Sequence, residues 1–191
     1  TSSRRQRQMC IRDRFITMSI VLLGCNSTPK EQKDSQNTCM EMEKNKESVK
    51  AFFKLLEAEN IEQFVNMFSK DGAQINPYAS GIFPDGAKGH EALRNYWEPV
   101  PANFDGMEFM IEELLGTEDP KTVFVKYQGK IKLKNGAGYY TNQYYSTFKF
   151  DDAGKIVEYV EIFNPIVAAQ AFGLMDSIQS VSYTHLRAHE T

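Results

Sequence analysis

The sequence predicts an α+β domain, a cone-shaped half-barrel in which three helices pack on a curved antiparallel sheet. Apolar residues recur at helical spacing from about residue 43 to residue 97, and at a spacing of two after residue 106. Short turn signals join the later segments, so helices come first and a meander follows. The first helix begins near Glu43, carries Val49, Phe52, Phe53, Leu55 and Leu56 among Lys and Glu, and ends at Asn60. Ile61, Phe64, Val65, Met67 and Phe68 repeat the pattern in a shorter helix, expected to stop at the Asp71-Gly72 turn signal. Gln74 to Lys88 reads as a short strand and a loop broken by Pro77, Gly81, Pro84 and Gly86. A third helix follows Gly89, carries Leu93, Tyr96 and Trp97 with Leu93 and Trp97 facing the core or pocket, and is stopped by Pro99 and Pro101.

Four strands are expected next: Met107 to Leu115, Thr122 to Leu133, Tyr139 to Phe150 and Lys155 to Phe163. Lys134-Asn135-Gly136 and Asp151 to Gly154 supply hairpin turns. A sheet half closed by helices leaves a mouth suited to a small molecule.

The 191 residues are 41% hydrophobic and 25% charged, enough for one domain with a sizeable core. Net charge is −3, so binding nucleic acid through phosphate neutralisation is disfavoured. The three cysteines, at positions 10, 25 and 39, form neither a disulfide framework nor a spaced zinc site. No glycine-rich phosphate loop, HExxH, GxSxG, paired CxxC or Asp-rich metal loop occurs, so cofactor enzymes of those kinds are disfavoured.

The ends stand apart from the domain. Residues 1–14 hold five arginines and one acid, a net of +4 that leaves the remainder at −7. QMCIRDR near the start and VSYTHLRAHET (181–191) at the end resemble translated sequencing-adapter sequence, and both are set outside the fold. Residues 15–25 (FITMSIVLLGC) are too short to span a bilayer but suit a signal-peptide core. Their LLGC ending resembles a bacterial lipobox in which Cys25 is lipidated. Residues 26–45 then read as a flexible tether with Cys39 as a free thiol, ahead of a domain at 46–174. The location expected is the bacterial cell envelope, held by a lipid anchor only; the alternative is a cytoplasmic domain preceded by an accidental apolar patch.

Aromatic density is the remaining signal, with nine Tyr and 13 Phe in the chain and Tyr139, Tyr140, Tyr144 and Tyr145 on one strand. Such residues serve as core and interface filler, or as pocket walls whose hydroxyls orient a flat ligand. On that strand Tyr140, Asn142, Tyr144, Ser146, Phe148 and Phe150 form the more apolar face and are placed inward. Tyr139 and Tyr145 then point outward, where a two-fold contact in a homodimer would cover them. On the last strand Glu158 and Glu161 fall on opposite faces, and parity alone does not choose between them. An enclosed carboxyl would have a raised pKa and could exchange protons near neutrality, whereas a surface glutamate would pair with a strand lysine. His90, at the start of the third helix, reads as an exposed structural residue.

The segments Gly116-Thr117-Glu118-Asp119-Pro120, Tyr139-Tyr140-Thr141-Asn142, Asp152-Ala153-Gly154-Lys155-Ile156, Glu161-Ile162-Phe163-Asn164-Pro165 and Ala171-Phe172-Gly173-Leu174 resemble the SnoaL-like branch of the nuclear transport factor 2-like superfamily. They are most similar to the phenazine-biosynthesis A/B proteins. The resemblance covers roughly residues 46 to 174, and the E-x-F-N-P ending before a short helix is its specific part. It implies a cone-shaped α+β fold, usually dimeric, with no metal or organic cofactor, and it puts the pocket glutamate at Glu161 beside Tyr159 and Phe163. The family's histidine on the third helix corresponds to Tyr96 here, and a second, after the asparagine of the penultimate strand, to Gln143. The function implied is small-molecule binding with cofactor-free acid–base chemistry of the isomerase, cyclase or condensation type. Glu161 would be the proton carrier, and Tyr96, Trp97, Tyr140, Asn142, Tyr144 and Phe163 would contact a flat organic metabolite. A non-catalytic ligand-binding or dimerisation module of the cell envelope is the alternative.

Overall fold

The computed structural model describes residues 29–177 apart from Ser80. Cys25, the signal segment and both adapter-like ends lie outside the described residues. The chain divides into two units, one up to Glu41 and one from Met42 onward. Of the first, residues 29–41 are described, and they are helical.

Helix α1 spans Pro29–Glu57. Residues 29–45, expected to belong to a flexible tether, are helical. The reason is compositional: residues 30–57 contain neither Pro nor Gly, and Lys46 and Lys50 pair with Glu43 and Glu47 one turn earlier. Asn45 is buried and donates its amide to the Pro120 carbonyl at 3.0 Å, which ties this turn to the strands. Cys39 is disulfide-bonded, which corrects the expectation of a free thiol.

The elements that follow are α2 (Ile61–Val65), β1 (Phe68–Ile75), β2 (Gly86–Lys88), α3 (His90–Trp97), β3 (Phe104–Gly116), β4 (Thr122–Leu133), β5 (Tyr139–Phe150), β6 (Ile156–Phe163) and α4 (Pro165–Ala171). The strands form one sheet in the order β2-β1-β6-β5-β4-β3. Neighbours are antiparallel except β1 and β6, which run parallel. The meander β3–β6 is as the sequence predicts, and β1 and β2 extend it to six strands.

One helix is shorter than expected. α2 ends at Val65, and Met67, Phe68 and the Asp71-Gly72 pair lie beyond it, the last three in β1. A Cβ at Gly72 would stand 2.5 Å from the Ile156 carbonyl oxygen, so this glycine permits the close approach of β1 to β6 rather than ending a helix. A second irregularity resolves the parity of β6. Phe150 pairs with Ile156 and Lys149 with Glu158, so Val157 is skipped and bulges outward. Ile156 and Tyr159 can then both be buried although three residues apart.

The closed end of the core is phenylalanine. Val49, Phe52, Phe53 and Leu56 present one helical stripe of α1 to the sheet and are all buried. The Phe52 ring lies 4.7 Å from Phe64, 4.9 Å from Phe148 and 4.9 Å from Tyr159, mostly in edge-on geometry. On the outer face of β5, Tyr139 and Tyr145 are 57% and 43% exposed.

Candidate functional site

The other end of the core is not filled. Inward residues of β4, β5 and β6, with Tyr96 and Trp97 from α3, Phe83 and Pro84 from the loop before β2, and Ala168 and Phe172 at α4, enclose a partly open cavity of about 160 Å³. α4 is held over it by Asn164, whose side chain accepts from the Ile166 and Val167 amides while Pro165 occupies the first turn. A glycine shapes the wall as well. A Cβ at Gly129 would meet the Tyr144 ring at 2.9 Å, so its absence lets that ring lie across β4, stacked on Tyr127 at 4.8 Å and 4°.

Glu161 stands on this wall, half-buried, with its remaining exposure toward the cavity. Tyr159 donates to its Oε1 at 2.6 Å and Tyr127 to the same oxygen at 2.9 Å. Oε2 has no protein partner among the described residues. The two phenol oxygens lie 3.0 Å apart, so three oxygens form a triangle whose edges share two phenolic protons while the carboxyl is ionised. A proton on Glu161 supplies the third. Burial raises the Glu161 pKa above the ordinary glutamate value, and the two phenol hydrogen bonds draw it partly back. Tyr127 and Tyr159 are pushed well above 10.0, first by burial and then by the neighbouring Glu161 charge, so they remain donors at neutral pH.

A second polar chain runs up the opposite wall. The Trp97 indole N–H, a donor only, gives its proton to Gln74 Oε1 at 2.7 Å. That fixes the Gln74 amide, whose Nε2 donates to Asn76 Oδ1 at 3.2 Å. Asn76 Nδ2 in turn donates to the Pro84 carbonyl at 2.9 Å and to the Tyr96 hydroxyl oxygen at 3.0 Å. Tyr96 therefore receives a proton from behind, and its own O–H is left to point elsewhere. Burial, together with the Glu161 charge, raises its pKa to about 12, so it is a hydrogen-bond donor rather than a base.

At the rim, Tyr140 and Tyr144 share a hydrogen bond of 3.0 Å, and Asn142 donates to Tyr140 at 2.8 Å. The same Asn142 amide donates to the Asn164 carbonyl at 2.9 Å. Of the residues expected to form the site, Glu161, Tyr96, Trp97, Tyr140, Tyr144 and Phe163 line the cavity, and Asn142 lies behind Tyr140 without reaching the wall. Glu158, the other glutamate of β6, pairs with Lys149 at 2.6 Å. His90, expected to be exposed, is half-buried and meets the Phe68 carbonyl at 3.0 Å. Gln143 donates to the Tyr127 carbonyl from the outer side of β5.

Tyr159, which the resemblance puts beside Glu161, is the nearer of its two phenol donors. Three contributors are not foreseen from the sequence: Tyr127, Gln74 and Asn76. A tyrosine among the inward valines of β4 is a usable signal for the first. Gln74 and Asn76 gave none, because two polar residues beside a proline look like surface. Among the described residues no group of three or more His, Cys, Asp or Glu side chains could hold a metal ion.

The chain matches the SnoaL-like domain family over residues 49–159. It is 29% identical over 133 residues to the phenazine biosynthesis protein PhzA1 of Pseudomonas aeruginosa, covering 68% of this chain and 81% of that one. Among solved structures, the phenazine biosynthesis-related protein phzb2 of Pseudomonas aeruginosa superposes with a TM-score of 0.62 at 22% identity, over 73% of this chain and 91% of its own. An LEH-like epoxide hydrolase of M. tuberculosis superposes with a TM-score of 0.55 at 16% identity, over 67% and 88% of the two chains. With the family pattern spanning α1 to β6 and the sheet arranged as in these proteins, the chain belongs to the SnoaL-like family of the nuclear transport factor 2-like fold.

Proposed function

We propose that the domain binds a flat organic metabolite and carries out cofactor-free acid–base chemistry on it, with Glu161 as the proton carrier. The observation that carries this is the division of labour within one carboxyl group: Oε1 is held by two phenols, while Oε2 is unpartnered at the wall of an aromatic cavity. A carboxyl fixed in this way can take a proton from a bound ring and return it elsewhere without reorienting. Tyr96, with its O–H turned away from Asn76, supplies a donor for an oxygen on which negative charge develops.

Carboxyl-carbon NMR titration of the protein, with Glu161→Gln to assign the resonance, tests the proposal. The expected midpoint lies above the ordinary 4.5. In the same variant, proton exchange between solvent deuterium and an accepted ring compound should fall about 10²- to 10⁴-fold, as for removal of a general acid–base group. The substituted amide can still accept both phenol protons, so the fold should survive. A midpoint at or below 4.5, or undiminished exchange, overturns the reading.

A further inference from the structure

The cavity wall is also distinctive in its charge. Among the described residues, Glu161 is the only ionisable side chain on it other than tyrosines, and no lysine, arginine or histidine lines it. The lysines of β4 and β5 and the one before β6 are engaged outside: Lys126 with Glu112 at 2.9 Å, Lys132 with Asp105 at 3.9 Å, Lys149 with Glu158 at 2.6 Å, Lys155 on the Asn66 carbonyl at 2.7 Å, and Lys130 over the Tyr139 ring at 4.6 Å. Five phenols, Tyr96, Tyr127, Tyr140, Tyr144 and Tyr159, lie within electrostatic reach of Glu161; their raised pKa values keep them protonated and neutral, so none of them is a counter-ion for an anion.

We propose that this pocket selects uncharged or cationic single-ring compounds and rejects aromatic carboxylates of the same size, because Glu161 Oε2 is an unpartnered carboxyl acceptor on its wall and, among the described residues, no cation stands there. The inference rests on the pocket being a ligand site, and it narrows the ligand class. A ligand carboxylate entering here would leave water without gaining a counter-ion, the costly form of burial. It would also approach the Glu161 carboxyl, a like charge whenever that group is ionised. An amide N–H or an ammonium group instead finds Oε2 unpartnered and the aromatic faces favourable to positive charge. The size limit comes from the volume: about 160 Å³ is close to an engineered apolar cavity of about 150 Å³ that accepts benzene. One ring fills the enclosed part, and further substituents must extend through the opening.

Three isosteric probes test this on the full chain at pH 7: benzamide, benzylamine and benzoate, followed by calorimetric titration and by chemical-shift changes in ring-labelled tyrosines. Benzamide and benzylamine should each bind at least tenfold more tightly than benzoate and shift the tyrosine signals. In Glu161→Gln the gap should close to within about threefold, benzoate gaining and benzylamine losing. Benzoate binding as tightly as benzamide in the native protein overturns the charge selectivity, while loss of proton exchange in Glu161→Gln would still stand for the function above. Failure of all three probes to shift any tyrosine overturns both.

Discussion

The inner face of β5 reads Tyr140, Asn142, Tyr144, Ser146, Phe148 and Phe150, and its two halves differ in what they meet. Phe148 and Phe150 are fully covered, with Phe52 and Tyr159 packed on Phe148. Tyr140 and Tyr144 are also buried, yet they border a cavity and spend their hydroxyls on each other and on Asn142. Ser146, paired with Glu161 in register, stands between the two halves with its buried hydroxyl beside the Tyr127 and Tyr159 phenols. The lesson is that one continuous strand can be core at one end and binding surface at the other. What changes is whether helix α1 reaches far enough to fill the concave side.

Breaking the closed end should have the largest effect. Phe52→Ala removes a ring that touches Phe53, Phe64, Phe68, Phe148 and Tyr159, and should cost about 3–5 kcal/mol in urea unfolding. The matched change at the open end, Tyr140→Phe, loses hydroxyl contacts only and should cost about 1 kcal/mol. Equal losses from the two would contradict the distinction.

Gly129→Ala should come next. The added methyl meets the Tyr144 ring, which must swing off Tyr127, and overpacking of this kind costs about 1–3 kcal/mol. Because the displaced ring moves into the cavity, benzamide binding should weaken while α1 packing is untouched. Tyrosine ring NMR distinguishes that local shift from global loosening.

A smaller effect depends on pH. The raised Glu161 pKa means that the folded state holds this proton more tightly than the unfolded chain. Its favourable contribution is complete below about the ordinary value of 4.5 and is lost as pH rises through the raised folded value. Glu161→Gln does not titrate, so its stability relative to the native protein should be level in acid and should improve from about pH 4.5 upward. Urea midpoints measured at pH 4 and pH 7 give the comparison, and an advantage confined to pH 4 would reverse the sign.

The smallest change in stability is expected on the outer face of the same strand. Tyr145 is 43% exposed, so Tyr145→Ser should alter monomer stability by less than about 0.5 kcal/mol. If two copies meet through this face, light scattering should give twice the chain mass for the native protein and a lighter species for the variant. A native protein that is monomeric at high micromolar concentration would remove the dimer from consideration.

The sequence by itself determined the fold class, the meander and the inward face of β5, because these depend on apolar periodicity and on turn residues that act locally. Strands β4 and β5 have the bounds that alternation predicts, Thr122–Leu133 and Tyr139–Phe150. Alternation also put Tyr140 and Tyr144 on the inward face of β5, while the family resemblance was what joined Tyr96 and Phe163 to them. Parity on β6 was beyond it: the bulge at Val157 arises from how β6 registers against β5, a contact between segments that no local pattern records. Only a family resemblance had favoured Glu161. The end of α2 and the pairing of β1 with β6 were decided in the same way, by the backbone approach at Gly72. The polar chain from Trp97 through Gln74 and Asn76 to Tyr96 links residues up to 23 positions apart, and each is unremarkable alone. Direction in that chain comes from a donor-only indole meeting a particular amide, and tertiary packing alone brings the two within 2.7 Å.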